Sequence, residues 1–82
     1  MNAEQILTEV NEIFQDVLED DSLAITFQTN ASQVEAWDSL NHIQLVVAIE
    51  KHFRLRFTAA EIQKWKNVGE MCLAIEARLK QA

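Results

Sequence analysis

No proline interrupts this chain, and glycine is nearly absent, with Gly69 the only one. No Gly/Ser/Pro-rich linker, repeat or low-complexity stretch can be drawn, and a proline break inside a helix is excluded. A single cysteine, Cys72, rules out an internal disulfide, and no Cys/His spacing has the form of a zinc site. Cys72 lies among Met71, Leu73 and Ile75, where a small buried hydrophobe fits. There is no apolar run near the ~20 residues that a membrane span requires. The opening Met1-Asn2-Ala3-Glu4-Gln5 is not basic and leads into no apolar signal segment, so a cytoplasmic location is expected. Positive charge is missing from the whole first part: residues 1–38 contain no Lys or Arg.

What is present suits one small domain spanning residues 1–82. A chain of 82 residues buries only about 60% of its unfolded surface, so stability is expected to be modest. Apolar residues make up 49%, enough for one compact core. The net charge is −6, unevenly spread. Residues 1–38 hold nine acids, whereas residues 39–82 hold four acids and seven bases. Such a chain is repelled by phosphate backbones, so nucleic acid is not an expected partner, and proteins presenting Lys and Arg are. An acidic surface also serves solubility alone.

Four segments carry helical periodicity. In the first, Ile6, Leu7, Val10, Ile13, Phe14, Val17 and Leu18 form one stripe, with Asn2 and Gln5 as a capping pair, and Glu19-Asp20-Asp21 ends it. Residues 19–37 follow as a long loop pinned to the core by Ile25, Phe27 and Val34. The second helix begins at Asp38 or Ser39 and closes at Phe53. The third is short and opens on the capping box of Thr58 and Glu61, with Ile62 and Trp65 as apolar contacts. The fourth starts at Asn67, Glu70 standing three residues on, and carries Val68, Met71, Cys72, Ile75 and Leu79. The expected fold is all-α: an antiparallel four-helix bundle of three main helices and a short third one.

The second helix is too apolar for a helix packed on one side. Leu45, Val46, Ile49 and Phe53 define the core face, and Leu40, Ile43 and Val47 widen the apolar arc to roughly 220° on a helical wheel. Periodicity favours covering of the surplus by the long loop, and leaves open that another protein covers it. Ser39, directly after Asp38, stands at the head of this helix, where free N–H groups and the positive dipole end favour a phosphate ester on a side chain. Either residue also serves simply as N-cap, the reading that residue types alone favour.

Trp37-Asp38-Ser39-Leu40, followed by Asn41-His42-Ile43-Gln44-Leu45-Val46-Val47-Ala48-Ile49-Glu50, resembles the acyl carrier protein family. Phe53-Arg54-Leu55-Arg56-Phe57 stands where that family has its turn after the second helix, and Asn67-Val68-Gly69-Glu70 is similar to the start of its last helix. First helix, long loop and segment lengths agree, so the resemblance spans essentially the whole chain. It implies that Ser39 receives 4′-phosphopantetheine from coenzyme A, that Asp38 helps orient the modifying enzyme or its Mg²⁺, and that cargo rides as a thioester. It implies no catalysis by the chain itself. Partners would be a phosphopantetheinyl transferase and acyl ligase or synthase enzymes, with no membrane span and the protein a monomer. Leu40, Ile43, Gln44, Val47 and Glu50 match the family's recognition positions.

The chain also departs from the family's common pattern. Trp37 replaces a small residue, Asn41 and Gln44 replace acids, and Lys51, His52, Arg54 and Arg56 add positive charge. A dedicated lipid, polyketide or related pathway is therefore expected rather than general fatty-acid synthesis, with an aminoacyl or peptidyl carrier, or an unmodified module of the same fold, as alternatives. A serine hydrolase is rejected. There is no G-x-S-x-G elbow, and His42 leans toward the core as a packed residue. His52 reads as a helix C-terminal residue, and Trp37 and Trp65 as packing aromatics.

Overall fold

The computed structural model describes residues 1–81. It holds four α-helices: α1 (Ala3–Val17), α2 (Ser39–Phe53), α3 (Ala59–Lys64) and α4 (Val68–Gln81), with one 3₁₀ turn at Ala31–Gln33. No strand occurs among the described residues. The all-α expectation holds; the 3₁₀ turn, capped by Asn30, is an addition that hydrophobic periodicity does not signal.

Each helix begins where a polar side chain supplies what the backbone lacks. Asn2 and Gln5 form a reciprocal capping box on α1, and Thr58 and Glu61 another on α3. At α4 the Asn67 side chain accepts from the Glu70 amide at 2.9 Å, while the Glu70 carboxylate reaches back to the Lys66 amide. The main helix ends need a left-handed residue, and with one glycine available the chain uses charged ones. Glu19 lies at φ 53° after α1 and Arg54 at φ 58° after α2. Both ends close with a long backbone bond, Asp20 N–H to Gln15 O and Leu55 N–H to Glu50 O, each 3.0 Å.

α1 packs against both α2 and α4. Ile6, Val10 and Phe14 from α1, Leu45 and Ile49 from α2, and Val68, Met71, Cys72 and Ile75 from α4 are wholly buried. Phe53, Leu79 and Trp65 lie half-buried against this cluster. The head of α2 sits at the end of α1, because Trp37 meets Phe14. The tail of α2 lies farther back, at the middle of α1, because His52 meets Glu9. α1 and α2 are therefore antiparallel.

The long loop is fastened along its length, which is what positions α2. Ile25 is buried, and Phe27 and Val34 pack on the core as their apolarity suggests. The Gln15 side chain donates to Leu23 O at 2.8 Å, and the Asn11 side chain accepts from Ile25 N–H at 2.9 Å. Val68 and Gly69 donate their amides to Thr29 O and Phe27 O at 2.8 and 2.7 Å. A Cβ at position 69 would lie 2.9 Å from Phe27 O, so the only glycine of the chain stands where backbone meets backbone.

Candidate functional site

The site is the loop-to-helix junction at residues 36–43. Asp38 is the N-cap: its backbone is extended and its side chain accepts from Asn41 N–H at 2.8 Å. Asn41 also donates from its side chain to Ala36 O at 2.7 Å, tying the first turn of α2 back to the loop. The first helical bond runs from His42 N–H to Asp38 O at 2.8 Å. Ser39 and Leu40 precede it, so their amides have no partner within the helix. The Ser39 side chain is exposed, as are Asp38 and Leu40 on either side. A hydroxyl offered to solvent with two free amides and the positive helix end beside it suits a phosphate ester.

Behind this exposed turn lies an aromatic anchor. Trp37 is buried, with its ring edge-on to Phe14 at 4.9 Å, and its indole N–H donates to Nδ1 of His42 at 3.0 Å. An indole nitrogen only donates, so His42 Nδ1 is the acceptor and the proton of the neutral ring sits on Nε2. Burial holds the His42 pKa below its ordinary value, in keeping with a neutral ring. The ring then meets Trp65 at 6.5 Å, and Trp65 packs edge-on against Phe57 at 4.9 Å. Arg78 lies over Phe57 and pairs with Glu61, whose pKa is lowered first by the Thr58 amide and then by Arg78. The residue before the D-S-L triplet is thus linked through α2 and α3 to α4. With its Nδ1 engaged by Trp37, His42 is a packing residue rather than a base for Ser39.

The apolar surplus of α2 is not covered. Leu40, Ile43 and Val47 are 65%, 61% and 42% exposed, so burial beneath the loop, which periodicity favours, does not occur. The reason lies in the loop's attachments, which bind it to α1 and α4 and leave the outer face of α2 open. Gln44 is exposed on that face. Glu50 differs from the other positions that the resemblance implies for recognition: it is half-buried, and Oε2 accepts from Phe57 N–H at 2.8 Å. It anchors the α2–α3 connection, a role invisible to helical spacing because its partner lies seven residues away across a turn. The Asn41 amide bond, by contrast, follows a local rule, since the residue three after an N-cap Asp is where the capping bond forms. His52 pairs with Glu9 at 2.7 Å, and Cys72 is buried as its neighbours imply.

Among the described residues no group of three or more His, Cys, Asp or Glu could hold a metal ion, and no helix is long and apolar enough to cross a membrane.

Comparison with known proteins bears on this junction. The family model described as a phosphopantetheine attachment site matches residues 8–75. Among solved structures, the solution NMR structure of a holo acyl carrier protein from Geobacter metallireducens is similar, with a TM-score of 0.88 and 38% sequence identity. The match covers 93% of this chain and 87% of that one. No curated protein matches.

Proposed function

The chain belongs to the acyl carrier family, whose members carry covalently attached 4′-phosphopantetheine, and from that membership we propose that Ser39 is the residue that bears it. The observation that supports this reading is the exposed Ser39 hydroxyl on the first residue of α2, next to an N-cap Asp38 and inside the matched segment. The protein is then a carrier and not a catalyst. When bound, the group supplies a terminal thiol that holds cargo as a thioester. The chain's own residues do the rest. Ser39 Oγ would attack the pantetheine-bearing phosphorus in the pyrophosphate of coenzyme A: the new O–P bond forms as the P–O bond to the nucleotide phosphate breaks, adenosine 3′,5′-bisphosphate leaves, and the hydroxyl proton passes to a base of a separate phosphopantetheinyl transferase that uses Mg²⁺. Asp38 holds the turn through Asn41, and its exposed carboxylate faces the approaching enzyme or its metal. Trp37 and His42 keep the turn from shifting beneath the tether.

Leu40, Ile43, Gln44 and Val47 form the surface that partner enzymes meet. We assign Glu50 to the α2–α3 connection first and to recognition second, since one of its oxygens is already bound. No exposed acid remains on α2, where Glu50 is the only acidic residue. Enzymes that recognise carriers by an acidic second helix would find little to grip here. This supports service in a dedicated lipid, polyketide or related pathway with its own acyl ligase or synthase. An aminoacyl cargo fits the same surface, and the two separate by which adenylating enzyme loads the thiol.

Intact-mass measurement after incubation with a transferase, Mg²⁺ and coenzyme A tests the assignment. One added phosphopantetheine group is expected, and none in Ser39→Ala. Modification that persists in Ser39→Ala would overturn the assignment. Wild-type protein that stays unmodified beside a competent control carrier would leave the unmodified interaction module as the reading.

A further inference from the structure

The C-terminal end of α2 and the turn after it enclose an open groove of about 520 Å³, lined by Val47, Glu50, Lys51, Arg54, Leu55 and Arg56. Lys51, Arg54 and Arg56 are all exposed. None of the three pairs with a carboxylate among the described residues, whereas Arg78 and His52 each have an acidic partner. The only acid on the rim is Glu50, whose Oε2 is held by the Phe57 amide. Arg54 occupies the left-handed position that closes α2, where glycine would be free of strain. The chain keeps a cationic side chain there at a conformational cost.

We propose that this groove receives an acidic segment of a partner protein, an aliphatic side chain entering between Val47 and Leu55 and carboxylates meeting Lys51, Arg54 and Arg56. The inference rests on the carrier reading only in requiring that other proteins dock on α2. Charge complementarity selects the occupant. Three cations with no acidic partner surround an apolar floor, on a protein whose first 38 residues carry nine acids and no base. An acidic partner is disfavoured where the chain's many acids are exposed and drawn to the unpaired cations of this groove, which selects its place of docking. The groove is continuous with the exposed stripe, because Val47 belongs to both. A partner that reaches Leu40 and Ile43 near Ser39 therefore meets the groove farther along the same helix.

The test uses the whole 82-residue protein, ¹⁵N-labelled, and three probes: an amphipathic Leu/Glu helical peptide, its Leu/Lys counterpart and an oligothymidylate. The Leu/Glu peptide is expected to move the amides of Val47, Lys51 and Arg54 to Phe57, and to bind more weakly as salt is raised. Reversing two exposed charges, Lys51→Glu with Arg56→Glu, should weaken it by roughly tenfold or more with circular dichroism unchanged. Equal binding of the Leu/Lys peptide or of the oligothymidylate would overturn the proposal. So would binding that survives the double reversal, or shifts centred on residues 1–38. Self-association through the groove, seen by sedimentation and abolished by the same reversal, would replace the acidic partner with a second copy and overturn it too. Modification of Ser39 is followed separately by intact mass. Ser39 modified while the groove fails removes this inference alone; a working groove on a protein that is never modified removes the carrier reading alone.

Discussion

Gly69→Ala sets two magnitudes against each other. Alanine is the better helix former, by up to about 1 kcal/mol in a helix interior and less in a first turn such as this one. Against that, the new Cβ would lie 2.9 Å from the Phe27 carbonyl oxygen, 3.2 Å from Asn67 Oδ1 and 3.4 Å from Phe27 Cβ. The closest neighbour is backbone and cannot swing aside. It is also the oxygen that accepts the Gly69 amide at 2.7 Å, so the methyl pushes on the acceptor of its own residue. Relief requires the loop to retreat by several tenths of an ångström, stretching that bond and the neighbouring Val68 to Thr29 bond. Strain from overpacking costs about 1–3 kcal/mol. Each weakened hydrogen bond forfeits part of about 0.5–1.5 kcal/mol. The clash wins, and the expected net loss is about 1–3 kcal/mol. At about 4–8 °C per kcal/mol for a domain this size, thermal unfolding followed by circular dichroism should fall by roughly 5–20 °C. Hydrogen exchange at the amides of residues 68 and 69 should speed up more than at the α1 core. A variant as stable as the wild type would refute the reasoning, since helix propensity would then outweigh the loop's approach.

Three further outcomes follow from the same geometry. Leu40→Glu changes a side chain 65% exposed, so stability should stay within about 0.5 kcal/mol while transferase kcat/KM drops by roughly tenfold; unfolding instead would make Leu40 a core residue. Burial places the His42 pKa below 6.5, so the unfolded chain binds the proton more readily. The stability tied to neutral His42 is full above pH 6.5 and declines as pH falls through that value toward the lower folded pKa. Lowering pH from about 7.5 to about 5.5 should reduce Tm in wild type and less so in His42→Asn, and equal slopes would refute the assignment. Burial pushes the Cys72 thiol up to about 11, so iodoacetamide at neutral pH should label it only as fast as the fold opens, and rapid labelling of native protein would contradict its burial.

The parts legible in the sequence are those governed by local rules. Helix starts at Asn2, Thr58 and Asn67 follow from side chains three residues apart, and the buried stripe Val68, Met71, Cys72 and Ile75 follows from helical period. Asp38 and Ser39 are readable as a helix head from residue type alone, since both are preferred caps. Whether Leu40, Ile43 and Val47 are covered depends on where a nineteen-residue loop goes, and that is decided by bonds reaching far along the chain. The Asn11 side chain binds Ile25, and the start of α4 binds Phe27 and Thr29. No periodicity records such bonds. The same holds for Glu50, which the family resemblance assigns to the docking surface and the Phe57 amide draws into the connection.

The open face of α2 has an energetic consequence for docking. Covering Leu40, Ile43 and Val47 completely, weighted by how exposed each already is, yields together roughly 2.5–5 kcal/mol, since a full side chain of this size is worth about 1.5–3. Bringing two proteins together costs an estimated 4–15 kcal/mol or more before any contact is counted. The stripe alone therefore cannot hold a partner. With the tether proposed on Ser39, contacts to that group and charge interactions along α2 would supply the remainder. A carrier is served well by this shortfall, because a partner that lacks the cargo or the matching charges leaves quickly. It also means that each apolar residue carries a large share of a small total. Truncating Ile43 to alanine should accordingly weaken every partner that docks on α2 while leaving the core, which it does not enter, as stable as before.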